Sequence, residues 1–177
     1  NDIRIQVEGF GLNFADVMAV KGMYREAPPL PSVIGYEVVG RVTECGSAVS
    51  KEMMDQRVVS MTRFGGYAEE VVTDHRAAAR IPDSMPIGEA AALATQGCTA
   101  WYAARILAPV RKGDRVLVHS AAGGVGQLLT QLAVHSGCEV FAVGSGAEKR
   151  TYLQSLGAHH IIDRSIGDPH DQLRKAL

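Results

Sequence analysis

Ile3, Ile5 and Val7 alternate with Arg4, Gln6 and Glu8 at the head of the chain, the period-two pattern of a strand with one face in a core and one in water. Residues 38–42, 57–60 and 67–72 form further short apolar runs separated by Gly and Pro, so the chain up to about residue 80 predicts a small β-rich unit. One short helix interrupts it: Phe14, Val17, Met18 and Lys21 keep a 3.6-residue spacing, and Gly22 can close the end. Pro28-Pro29-Leu30-Pro31 predicts extended loop.

After Ile81-Pro82 the period lengthens. Ala-rich residues 89–94 and then 99–107 predict helix, and Lys112-Gly113-Asp114 a turn. Beyond it strand and helix alternate: a buried-type strand at 115–119, an amphipathic helix at 124–136, strands at 139–143 and 160–162 with a helix at 148–156 between them. Asp168 suits an N-cap and Pro169 the first position of one more helix. Such alternation predicts a parallel sheet, and the change of texture divides the chain into residues 1–85 and 86–177. The chain opens in mid-strand without a Met and shows only the first half of a six-stranded doubly wound sheet, so both ends are expected to be trimmed.

Composition narrows the function classes. With 46% hydrophobic and 21% charged residues the chain is an ordinary globular one. Eighteen basic against nineteen acidic residues, with no basic run, argue against a nucleic-acid partner. No apolar run reaches the roughly 18 residues of a membrane span, and the first residues lack a signal peptide's basic and apolar regions. Cys45, Cys98 and Cys138 are odd in number and scattered, which fits a reducing, cytoplasmic setting better than a disulfide framework or a zinc cluster. Cys98 is expected to be a buried structural thiol. The six histidines show no metal-binding spacing.

The strongest chemical signal is the run Val116-Leu117-Val118-His119-Ser120-Ala121-Ala122-Gly123-Gly124-Val125-Gly126, in which a strand enters a turn and then a helix. It follows the dinucleotide-binding pattern GxGxxG with Ala121 in the first place, Gly123 where backbone must approach a pyrophosphate and Gly126 where helix and strand pack closely. A helix N-terminus offers free N–H groups to phosphate there. An acid at the end of the next strand would hold the ribose 2′-OH of NAD. Here Gly144-Ser145 stands in its place, and Ser145, Lys149 and Arg150 can offer a hydroxyl and cations to a 2′-phosphate. NADPH is therefore the expected cofactor, with Glu148 facing solvent or capping its helix.

Gly11-Leu12-Asn13-Phe14-Ala15-Asp16-Val17, Gly35-Tyr36-Glu37, Gly65-Gly66-Tyr67-Ala68, residues 121–126 and Glu148-Lys149-Arg150 together resemble the medium-chain dehydrogenase/reductase superfamily. Within it they are most similar to the zinc-independent quinone oxidoreductase, zeta-crystallin and VAT-1-like branch, with enoyl reductase modules of polyketide synthases nearby. The resemblance implies an α/β protein in which a GroES-like β-rich domain with substrate contacts precedes a partial Rossmann domain, with the active-site cleft between them. Zinc-dependent relatives place Cys, His and Cys where this chain has Asn13, Tyr36 and Thr95, so no metal is expected. The resemblance further implies Asn13 and Tyr24 at the nicotinamide and substrate as catalytic residues. Thr99, Ala122, Gly123, Gly124, Val125 and Gly126, with Ser145, Lys149 and Arg164, are the implied cofactor contacts, while Asp16 is implied to be structural. Arg164 stands where many members carry Tyr, and Asp55-Gln56 where Gly-Asp is usual. The implied reaction is metal-free hydride transfer from NADPH to a quinone or enone. An enoyl-thioester or alkenal reductase, and a non-catalytic NADPH-binding protein, are the alternatives. Relatives of this kind often pair as homodimers.

Overall fold

A computed structural model describes all residues 1–177, and they form two compact units, Asn1–Thr95 and Gln96–Leu177. The first holds a five-stranded sheet in the order β4-β1-β2-β3-β5, with β1 Asp2–Phe10, β2 Glu37–Cys45, β3 Arg57–Met61, β4 Glu70–Asp74 and β5 Ala78–Arg80. Every pairing is antiparallel. Helix α1 spans Phe14–Val20 between β1 and β2, where the spacing predicts it. The strand predicted at 67–72 starts only at Glu70, because Tyr67 turns its ring onto Phe10, 4.6 Å away between centroids.

Both faces of this sheet are covered, which explains why Val38 and Val39 stand side by side as buried apolar residues in β2. Val38 and Val42 face a cluster with Ile3, Ile5, Val49, Val58 and Val71. Val39, with Val59, points the other way, against Ala90, Ala91 and Ala94. Residues 86–95, which the change of texture assigns to the second domain, thus pack within the first unit. They form α2 Ile87–Ala91 and a wider π-helical turn, Leu93–Gly97.

In the second unit α3 Cys98–Tyr102 runs into another π turn at Ala103–Leu107. Then follow β6 Arg115–Val118, α4 Gly124–His135, β7 Glu139–Gly144, α5 Ala147–Ser155, β8 His160–Asp163 and α6 Pro169–Ala176. The three strands are parallel in the order β6-β7-β8, the half Rossmann sheet that the strand-helix alternation implies. Val118, Val140, Ala142, Ala133 and Leu153 fill its core. On the other face of β7, Phe141 stacks on His160 at 4.4 Å. The strand 115–119 is less buried than its apolar sequence predicts. β6 lies at the sheet edge, where Leu117 stays 40% exposed. Asp168 caps α6 as its position predicts, its Oδ1 accepting from His170 N at 2.7 Å and Asp171 N at 3.1 Å. No helix is long and apolar enough to cross a membrane.

Candidate active-site residues and nucleotide cavity

In the first unit the chain leaves β1 through Gly11 and enters α1 at Asn13. Asn13 is fixed at three points. Its backbone N–H donates to Asp16 Oδ2 at 2.8 Å, its carbonyl accepts from Asp16 N at 3.0 Å, and its Nδ2 donates to Glu37 Oε1 at 2.8 Å. Glu37 is fully buried, and its Oε2 accepts from Thr95 N at 2.6 Å. The π turn beginning at Leu93 releases this N–H from the helix ladder. Both carboxylate oxygens are therefore satisfied, as a buried charge requires. Gly11 is obligatory, because a Cβ there would overlap the Glu37 carboxylate, with Cδ only 2.7 Å away. One N–H of the Asn13 amide is spent on Glu37, and a second remains to serve a ligand.

The same unit carries a group of phenols. Tyr24 meets Tyr36 edge-on at 5.9 Å, and Tyr36 meets Phe64 at 4.9 Å. Burial, and then the neighbouring Tyr24 phenol, hold the Tyr36 hydroxyl well above the ordinary phenol range. Burial and the adjacent Asp16 carboxylate push Tyr67 up to about 12. Asp16 is buried, as its implied structural role requires. Tyr24 also lines a cavity of about 520 Å³ with Ala19, Val20, Leu30, Ser32 and Ile34, roomy enough for a small organic molecule. Asn13 does not line it.

The residues at the three ligand places of zinc-dependent relatives do not fit that metal. An amide, a phenol held protonated and a threonine replace the thiolate and imidazole ligands zinc prefers, and no three His, Cys, Asp or Glu side chains come together as a ligand group.

In the second unit the glycine-rich turn is built around Ser120, a non-glycine residue at φ 49°. Its carbonyl accepts from Gly123 N at 2.8 Å, and Ala121 N donates to Val143 O at 2.9 Å, so the turn lies against the end of β7. A Cβ on Gly126 would overlap that same Ser120 carbonyl and approach the Ala121 Cα to 2.8 Å. Gly126 thus lets α4 pack against the turn. A Cβ on Gly124 would overlap the Gln96 side-chain amide, a neighbour that no sequence motif announces.

Beyond the C-terminal ends of the strands, where doubly wound sheets hold their ligands, is a cavity of about 130 Å³ lined by Ser120, Ala122, Gly123, Val143, Gly144, Ser145, Lys149 and Arg164. Five of the implied cofactor contacts, Ala122, Gly123, Ser145, Lys149 and Arg164, therefore meet at one place. Gly124, Val125 and Gly126 open α4 beside it, and Thr99 sits exposed on α3. The lining contains two cations and no acid. Neither Lys149 nor Arg164 takes part in an ion pair, whereas Arg150, offered by the sequence as a third cation, turns away to Asp163 Oδ2 at 2.9 Å. Asp163 is buried, and its carboxylate holds the Arg150 guanidinium. A second correction concerns Cys98, which is exposed rather than buried because it opens α3 on the outward side.

Comparison with known proteins agrees with this architecture. Residues 1–83 match the Alcohol dehydrogenase GroES-like domain family and residues 124–177 the Zinc-binding dehydrogenase family. The chain belongs to the medium-chain dehydrogenase/reductase superfamily. It is similar to the Escherichia coli quinone oxidoreductase solved with NADPH, at 30% identity and a TM-score of 0.90 over 99% of this chain and 54% of that one. The CurK enoyl reductase gives 31% identity and a TM-score of 0.90, over 99% of this chain and 55% of that one. A Mycobacterium tuberculosis mycocerosic acid synthase-like polyketide synthase is 33% identical over 98% of this chain and 8% of its own length. The chain therefore spans about half of these solved relatives and a small part of the synthase.

Proposed function

We propose that the protein is an NADPH-dependent reductase of conjugated carbonyl compounds that works without a metal. The observation that carries this reading is the cavity at the strand ends, where Lys149 and Arg164 stand unpaired, Ser145 adds a hydroxyl and no acid is present to select an unphosphorylated ribose. The residues fit the cofactor. Ala122, Gly123, Gly124, Val125 and Gly126 would hold its pyrophosphate against the first turn of α4, while Ser145, Lys149 and Arg164 would hold the 2′-phosphate. Thr99 is assigned to the same cofactor. When bound, NADPH supplies a hydride from its nicotinamide ring.

The chain's own side chains then serve the acceptor. Asn13, anchored through one N–H to Glu37, has a second N–H to give to an acceptor oxygen as negative charge builds on it. Tyr24 lines the larger cavity of the first unit and can give a second hydrogen bond or a proton. Such donors stabilise charge on a carbonyl oxygen remote from the carbon that is reduced, as in quinones and enones, without a Lewis acid. A reducing, cytoplasmic setting suits the scattered free thiols, and the full-length protein could pair as a homodimer.

A second acceptor class has its own support: the polyketide synthase match covers 98% of this chain, which favours an enoyl thioester. The test is oxidation of NADPH by the full-length protein, dialysed against a chelator, with a quinone, an enone and an enoyl thioester in turn. Turnover of at least one acceptor is expected, and Asn13→Ala or Tyr24→Phe should lower kcat about a hundredfold, the usual effect of losing one oxyanion donor. Unchanged turnover in both variants would remove the roles given to these residues. NADPH binding without turnover of any acceptor would leave a binding protein.

A further inference from the structure

Two turns carry the cations of the nucleotide cavity, and one buried carboxylate ties those turns together. Asp163, the last residue of β8, is 2% exposed. Its Oδ1 accepts from Gly146 N at 3.1 Å, Ser165 N at 2.9 Å and Ser165 Oγ at 2.6 Å, and its Oδ2 accepts from the Arg150 guanidinium at 2.9 Å. Gly146 closes the turn after β7, which brings Gly144, Ser145 and, one helical turn on, Lys149 to the cavity. Ser165 lies in the turn after β8 that carries Arg164. A backbone bond from Arg164 N to Gly144 O, 3.1 Å, joins the same two turns. The Asp163 backbone is itself clamped by Gln172 of α6, which accepts from its N–H at 2.9 Å and donates to its carbonyl at 2.8 Å.

An acid so near an anion site would ordinarily repel the anion. Here the charge is consumed by four donors and points into the protein. The hydrogen bonds from Ser165 above all, then those from Arg150 and Gly146, keep the carboxyl ionised far below the usual carboxylate range. The same ion pair withholds Arg150 from the cavity, leaving Lys149 and Arg164 as its cations.

We propose that Asp163 is a positioning residue for cofactor selectivity. It staples the turns after β7 and β8 so that Ser145, Lys149 and Arg164 converge on a 2′-phosphate, and without it the cavity no longer distinguishes a 2′-phosphorylated from an unphosphorylated adenosine nucleotide. This rests on the NADPH reading above.

The experiment compares affinities of the full-length protein for 2′,5′-ADP and 5′-AMP by calorimetry, and for NADPH and NADH by nicotinamide fluorescence. Asp163→Asn should weaken 2′,5′-ADP and NADPH about tenfold, the scale of one charge-assisted hydrogen bond lost from the site, with 5′-AMP and NADH within about twofold. Ser165→Ala, which cuts one arm of the staple and leaves the buried charge, should shift the same ratio less and keeps the test open if Asp163→Asn folds poorly. Equal weakening of phosphorylated and unphosphorylated ligands in both variants would show a merely structural role and overturn the proposal. Lys149→Ala separates the two levels of inference. If it abolishes the preference while Asp163→Asn and Ser165→Ala keep it, the staple is wrong and the cofactor site stands. If none of the three changes the preference, both are wrong.

Discussion

Glu37 shows how a side chain can organise a site from inside the core. Its two oxygens hold the Asn13 amide and the Thr95 N–H, so Glu37→Ala would leave two donors buried without a partner and open a void. We expect a loss of about 3 kcal/mol in unfolding free energy, measured by urea denaturation, while Glu37→Gln, which keeps the volume and one acceptor, should lose less. Gly126 is constrained by shape alone. Gly126→Ala would drive a methyl into the Ser120 carbonyl and should lower stability by about 2 kcal/mol together with affinity for NADPH. The glycine turn and the missing acid after β7 were legible in the sequence because each is a local requirement of turn geometry or charge, whereas Asn13 was singled out only through the family resemblance. The roles of Glu37 and Gln96 were not, because their partners lie far off in the chain: Asn13 is 24 residues from Glu37, and Thr95 is 58. Asp163 was not either, because its bonds to Gly146 and Arg150 depend on how β7 and β8 pair. An acid directly before the apolar pair Val38-Val39 was the one available hint.

Among the elements, periodicity located α1, α4, α5 and all three parallel strands, since each is long enough to show its repeat or is flanked by Gly turns. It missed β5 Ala78–Arg80, which has three residues and pairs only with β3. It also read 89–94 and 99–107 as plain helix, where π turns intervene; the extra residue per turn leaves no mark in a run of alanines. Arg57 fixes the segment between β5 and α2. Its guanidinium donates to Glu8 at 2.7 Å and to the carbonyls of Pro82, Asp83 and Met85. Arg57→Met should cost about 3 kcal/mol, and hydrogen exchange should rise first in residues 82–94. At α6, Asp168→Ala removes the cap and should cost about 1 kcal/mol, detectable as a lower thermal midpoint.

For the molecule as a whole, titration links the fold to pH from both ends. The Asp163 carboxyl is far more acidic folded than unfolded, where it titrates near about 3.9. Its contribution is therefore complete above that value and is lost as pH falls toward the folded pKa. Tyr67 behaves in the opposite sense. Folded, it keeps its proton up to about 12, whereas unfolded it loses it near about 10, so stability declines as pH rises between these values. Tyr67→Phe should flatten that alkaline limb, which denaturant titration at a series of pH values checks. The fold class was legible across the chain because strand texture and strand-helix alternation are properties of whole segments. The packing of 86–95 on the first sheet depends on Ala90, Ala91 and Ala94 meeting Val39 and Val59, a complementarity that no single segment records.

The cavity lined by Ser145, Lys149 and Arg164 carries the central claim, and parallel equilibrium titration of the full-length protein with NADPH and NADH tests it most directly. Binding of NADPH at least tenfold tighter than NADH, with the difference removed by Lys149→Ala, is the result this structure leads us to expect. Equal affinities, or a preference for NADH that Lys149→Ala leaves untouched, would contradict it.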